Sequence, residues 1–173
     1  MKLFPHPKKS KSKLLEEFVG KQILDLSHKH PIDINHDLTK FPWPISENSY
    51  DLIICQHLLE HLPDMPSTLE ELNRITKPGG KIFIEAPHFT RFEAHHHLNH
   101  CHRFSFGFFD YFIKGNPFYK TDFHIADKYI YFDDLMFFLG IGFLANLFPR
   151  QYEKSLAFMF PATSFQITLF VDK

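Results

Sequence analysis

The sequence predicts an α/β fold built on a parallel sheet, from three stretches that follow one another closely. "YDLIIC" (50–55) is a continuous apolar run, the pattern of a strand covered on both faces. "STLEELNRI" (67–75) sets Leu69, Leu72 and Ile75 on one helical face, behind a Ser67-to-Glu70 spacing suited to a capping box. "KPGG" (77–80) then stops the helix, because proline forces its predecessor extended and the glycines allow a tight turn. "KIFIEA" (81–86) follows as a second strand. Strand, helix, turn and strand over this length make a βαβ unit, whose crossover requires the two strands to run parallel.

The other elements are placed around that unit. Leu14, Leu15, Phe18 and Val19 make a short helical stripe, with Ser12 as its cap and Gly20 as its stop. Residues 23–26 read as a strand, and 32–36 as another or its continuation. "TKFPWPISENS" (39–49) is a proline-punctuated loop. Beyond Pro87 a long loop rich in His and Phe runs to about Pro117, so residues 87–123 form an insertion or lid. A strand is expected at 128–132, a helix from Asp133 or Asp134 to about Phe148, and an alternating strand, "SFQITLFV", at 164–171. Without an internal repeat or a linker-like shift in composition, residues 1–173 read as one domain.

Composition narrows the class of function. Apolar residues at 44% and charged residues at 23% are globular values, which argues against a disordered chain. Nineteen basic against 20 acidic side chains leave no global field to recruit nucleic acid, and none is predicted as a partner. Lys8, Lys9, Lys11 and Lys13 read as a solvated terminus. Two cysteines, Cys55 and Cys101, imply no disulfide framework. The N-terminal segment has no apolar signal core. The longest apolar stretch, 135–148, falls short of the roughly 20 residues that span a bilayer. The expectation is a cytoplasmic protein without a membrane span.

"YDLIICQHLLEHL" (50–62) and "ELNRITKPGGKIFIEAP" (71–87) resemble the fourth strand with its loop, and the helix–turn–fifth strand, of class I S-adenosylmethionine-dependent methyltransferases, closest to the type 11 branch. Weaker similarity continues through "HCHRFSFGFFDYF" and into the C-terminal residues. The resemblance implies a Rossmann-like, doubly wound and mostly parallel sheet with a cofactor crevice at the carboxyl ends of its strands. It implies S-adenosylmethionine as cofactor and methyl transfer to an unidentified acceptor. Carried over by residue, Asp37 and Leu38 match the adenine contact, and Gln56 and His57 line the methionine end. His88 would face the acceptor, and His57, His61 and His88 are the candidate catalytic side chains.

One part of the pattern departs. The family's glycine-rich "LDLGCG"-type turn is "LDLSHKH" here, without either glycine that would let the backbone approach a ligand. Residues 27–31 also supply only five positions, where a parallel crossover containing a helix needs a dozen or more. The fold is therefore expected to be truncated near its first βαβ unit. Asp25 and Asp33 remain as cofactor-binding acids, although "IDINHDL" resembles the family's third-strand segment as well as the second.

The histidines invite a metal reading. "HLLEH" (57–61) fits an H-x-x-E-H pattern, but Pro63 leaves barely a turn of helix to carry it. "EAHHHLNHCHRF" (93–104) holds His95, His96, His97, His100, Cys101 and His102, whose imidazoles and thiol are zinc ligands by chemistry. The spacing matches no closed tetrahedral site, so no metal is assigned; His95, His97, His100, Cys101 and His102 are the candidates if zinc binds adventitiously. A methyltransferase-like scaffold acting by partner or metal binding through this loop is the alternative to an enzyme.

Overall fold

Five strands make one sheet in the computed structural model, which describes residues 10–26, 36–119 and 121–173. In chain order they are β1 (Ile23–Asp25), β2 (Tyr50–Gln56), β3 (Thr76–Pro87), β4 (Phe123–Tyr131) and β5 (Ser164–Val171). The spatial order is β1-β2-β3-β5-β4. β1, β2 and β3 pair in parallel, while β5 runs antiparallel to both β3 and β4. Four strands thus point one way and β5 the other, the mostly parallel α/β sheet expected.

β2 shows why both faces must be covered. Leu52 and Ile54 point to one face, where Phe18 and Phe83 bury them with Leu14, Leu15 and Ile23. Ile53 and Cys55 point to the other, into the main core with Leu69, Leu72 and Ile75. The first face belongs to α1 (Ser10–Glu17), the second to α2 (Met65–Ile75). Ser12 lies inside α1 rather than capping it, and Val19 is exposed beyond its end, just before the left-handed Gly20.

α2 begins earlier than the capping box predicted. Asp64 is the cap, its side chain accepting from the Ser67 backbone N–H at 3.0 Å, and Pro66 occupies the first turn where a missing N–H costs nothing. Aspartate followed by such a proline outcompetes Ser67 for the role. At the other end the glycines behave as expected: Gly79 has φ +77°, and a Cβ on Gly80 would lie 2.6 Å from Thr76 Cγ2.

Among the described residues no helix or strand lies between β1 and β2. The strand reading for 32–36 falls mostly on residues 27–35, outside the described residues, as does the whole five-residue gap. Residues 36–49 cross instead as a loop strapped to α2. The Trp43 backbone N–H donates to Glu71 at 2.8 Å, and Arg74 donates to the carbonyls of Ile45 and Trp43 at 2.7 and 3.1 Å. Buried Trp43 and Leu38 fill the space beneath.

After β3 the predicted loop contains α3 (Phe92–His96) and a 3₁₀ turn at Phe108–Phe112. Most of its rings pack inward, Phe104 and Phe109 being fully buried and Phe109 stacking on Phe165 of β5. The single helix expected from Asp133 or Asp134 to Phe148 is instead α4 (Asp134–Phe138) and α5 (Ile141–Leu147). Gly140, at φ +79°, breaks them apart in a conformation that other residues adopt at a cost. α6 (Pro149–Ser155), which follows at once, was not foreseen. No helix among the described residues is long and apolar enough to cross a membrane.

Candidate functional site

Parallel pairing brings the carboxyl ends of β1 and β2 side by side, so that Asp25 closes one strand and Gln56 the other. Lys11 reaches this edge from the first turn of α1. Its ammonium is 3.2 Å from an Asp25 carboxylate oxygen and also donates to the Gln56 side-chain carbonyl. The Gln56 amide in turn donates to Glu85 of β3 at 2.7 Å. A cation, two carboxylates and an amide thus form one chain of contacts along the strand ends. Lys11, read from sequence as part of a solvated terminus, was missed, and nothing in its spacing marks it. Glu85 was legible as an acid near the end of an apolar strand.

The next residue turns the backbone sharply. His57 has φ +52°, a left-handed conformation that costs a side-chain-bearing residue about 1–2 kcal/mol. Its N–H donates to the Glu85 carbonyl at 2.9 Å, which holds the turn against β3. Such strained backbone is concentrated at functional sites. Nδ1 of His57 lies 3.4 Å from Glu60, and that bond raises the imidazole pKa against the effect of burial, with Glu85 adding to the rise.

Glu60 sits in a three-residue 3₁₀ turn, Leu59–His61, not on a helix, so His57 and His61 are not one helical turn apart as an H-x-x-E-H site requires. Glu60 is 1% exposed, and its Oε2 has no hydrogen-bond partner. The backbone carbonyl of Glu60 accepts from the Cys101 N–H at 2.7 Å, binding the His-rich segment to the end of β2. There the rings of His61 and His100 lie 4.9 Å apart, edge to face.

The remaining candidates are dispersed. Asp37 is on the surface, where Thr39 hydrogen bonds, ahead of the Lys40 charge, hold its carboxyl below the usual range. Leu38 is buried, and its carbonyl accepts from the Trp43 indole at 3.1 Å. Asp33 lies outside the described residues. His88 is fully buried, with Nδ1 2.8 Å from the Thr90 hydroxyl and Nε2 3.2 Å from Glu153. It occupies the interior rather than a surface open to an acceptor. His95 contacts the Phe89 carbonyl, His102 contacts the Pro63 carbonyl at 3.1 Å, and the Cys101 thiol is turned to the His61 and Asn99 carbonyls. His97 touches the His100 ring. The six clustered ligands of the sequence therefore do not converge; they point in several directions.

On the far side of Glu85 lies a cleft of about 410 Å³, lined by Glu85, Tyr131, Asp133, Asp134, Ser164 and Gln166 among others. Its volume falls in the range of small-molecule sites. Glu85 belongs to both the strand-end array and this cleft, so the two adjoin.

Residues 16–84 match the model of a methyltransferase domain family, type 11. The ubiquinone biosynthesis O-methyltransferase of Vibrio cholerae is 28% identical over 72 residues, 38% of this chain and 29% of that protein. The enzyme of the same name from Aeromonas salmonicida is 29% identical over 72 residues, again 38% of this chain and 30% of its own. The chain spans under a third of the length of these curated relatives. Among solved structures, the YcgJ protein from Bacillus subtilis superposes with a TM-score of 0.52 at 12% identity, covering 80% of this chain and 70% of that one. A SAM-dependent methyltransferase from Archaeoglobus fulgidus gives 0.50 at 16%, covering 79% and 66%. These likenesses establish the fold. Over residues 16–84, which carry β1, β2, α2 and most of β3, this chain is similar to the methyltransferase domain family.

Proposed function

We propose that the protein binds S-adenosylmethionine across the carboxyl ends of β1 and β2 and transfers its methyl group to an acceptor in the adjoining cleft. The observation that carries this reading is the array Lys11, Asp25, Gln56 and Glu85, set at the crevice where α/β sheets bind ligands. Its donor set suits the methionine end of the cofactor: an ammonium for the carboxylate, and carboxylate and amide oxygens for the amine. Lys11 supplies a counter-charge that the absent glycine turn would otherwise have provided through backbone N–H groups. Asp37 and Leu38 serve the adenine end. The bound cofactor brings an activated methyl group, and the protein's task is to place the acceptor in line with it.

The acceptor is a different matter. The family match ends at residue 84, whereas the cleft is lined by Glu85 and later residues. The O-methylation named for the relatives is therefore not carried over with the cofactor half. Carboxylates of Glu85, Asp133 and Asp134 at the cleft favour a neutral or cationic acceptor over an anionic one. Calorimetry with S-adenosylmethionine and S-adenosylhomocysteine tests the proposal. Saturable binding is expected, weakened by Asp37→Ala and about tenfold or more by Lys11→Ala, the scale of a lost charge-assisted hydrogen bond. Silence up to millimolar ligand would overturn it and leave the fold as a scaffold for partner binding.

A further inference from the structure

We propose that Glu60, His61 and His100 form a zinc site at the seam between the end of β2 and the His-rich segment. One ligand atom from each of the three lies within 4.8 Å of the others. Carboxylate plus two imidazoles is the donor set of three-ligand zinc centres, which keep a fourth position open. Both histidines are half-buried, so one side of the group faces solvent.

Two unpartnered atoms point to a ligand at this place. Oε2 of Glu60 and Nδ1 of His100 are buried without a hydrogen bond, and they are the two such side-chain atoms among the described residues. Leaving a buried carboxylate oxygen unpaired costs several kcal/mol in general, so such groups are paired or coordinate metals. Both atoms lack a partner, although their residues belong to the same group. Bonds of ~2.0–2.1 Å keep tetrahedral ligand atoms roughly 3.3 Å apart or more, so a spacing within 4.8 Å leaves room for one shared cation.

The surroundings orient the ligands. The other oxygen of Glu60, Oε1, is held 3.4 Å from His57 Nδ1, which leaves Oε2 turned away from that contact. The Ala94 backbone hydrogen-bonds the His100 imidazole, and Nδ1 remains without a partner. A histidine that donates from one nitrogen presents the lone pair of the other, the arrangement seen around metal ligands. The Cys101-to-Glu60 backbone bond holds the two segments together beside the group, where His61 Nδ1 lies 3.3 Å from the Asn99 carbonyl. The site uses one residue of the His-rich run; His95 and His102 are bonded to carbonyls elsewhere.

The test is titration of the metal-free full-length chain with zinc chloride by calorimetry, followed by cobalt chloride with visible absorption. One equivalent should bind, with a cobalt spectrum of tetrahedral intensity and a rise in Tm on adding zinc. His100→Ala and the isosteric Glu60→Gln should each weaken binding by more than the ~10–100-fold that loss of an outer-shell partner costs. Glu60→Gln should leave the metal-free fold intact by circular dichroism, which separates ligand loss from unfolding. The double variant His95→Ala, His96→Ala should bind as the parent does. Absence of saturable zinc binding at 100-micromolar-scale metal, or binding that survives Glu60→Gln and His100→Ala, overturns the proposal.

Discussion

The part of the molecule that matches the methyltransferase family model, residues 16–84, and the segment between β3 and β5 are built on opposite terms. In residues 16–84, Val19 is the one exposed large apolar side chain among the described residues, and the charges on the loop and helix pair internally, as Glu71 does with Arg74 and Asp51 with Lys77. Every other exposed large apolar residue comes later: Leu98, Phe118, Phe138 and Phe158 among them. The matched part buries its large apolar side chains almost completely, which is what a fold-determining unit requires. The second half leaves surface chemistry uncommitted, which is where ligand and acceptor choice resides. The two orphaned polar atoms belong to Glu60 and His100, residues of one group that joins these two parts.

Truncating the buried core of the matched part should be the most damaging. Leu69→Ala, at a position with no exposure in α2, is expected to cost about 2–5 kcal/mol in urea unfolding. Gly80→Ala follows at about 1–3 kcal/mol, because its Cβ would meet Thr76 Cγ2 at 2.6 Å and the Lys77 carbonyl at 2.9 Å. An unchanged unfolding midpoint for either would show that the βαβ unit is not the stabilising half.

The Glu71–Arg74 strap sharpens the comparison through pH. Burial alone would raise the Glu71 carboxyl, but bonds from Arg74 and the Trp43 N–H outweigh it and hold the pKa below the usual value. The unfolded state therefore takes up this proton more readily than the native state. The stabilisation is complete above the unfolded pKa near ~4.3 and is lost as pH falls through the lower native value. Glu71→Gln should lower stability at neutral pH by about 1 kcal/mol and shrink the difference between pH 7 and pH 3 unfolding curves. Parallel curves for parent and variant would contradict this. Smallest of all, Phe138→Ser on the exposed surface of α4 should shift stability by no more than about 0.5 kcal/mol; a large loss would mean that this surface is part of the core.

The elements with strong local patterns were legible. β5 appears at 164–171 as read, and the face of α2 carries the three apolar residues that its spacing placed there. Local competition defeated other readings. Asp64 displaced Ser67 as cap, and Gly140 broke a helix that an apolar run had made continuous. Of the site, Asp25 was named from the end of an apolar strand and Gln56 and His57 from the family resemblance, and His100 was among the candidate ligands of a cluster to which no metal was assigned. Neighbours in sequence at 95–102 diverge in space, and the group that converges draws Glu60 and His61 from about 40 positions earlier.

By itself the sequence determined the βαβ unit, the parallel direction of its strands and the absence of a glycine-rich turn, because those follow from local periodicity, from proline and glycine geometry and from the number of residues available. Only the tertiary structure decided that Lys11 sits against Asp25 and Gln56, and that Glu60 and His100, each with an unpartnered buried atom, come together with His61. Such pairings depend on where distant segments meet after packing, and no spacing along the chain encodes that distance.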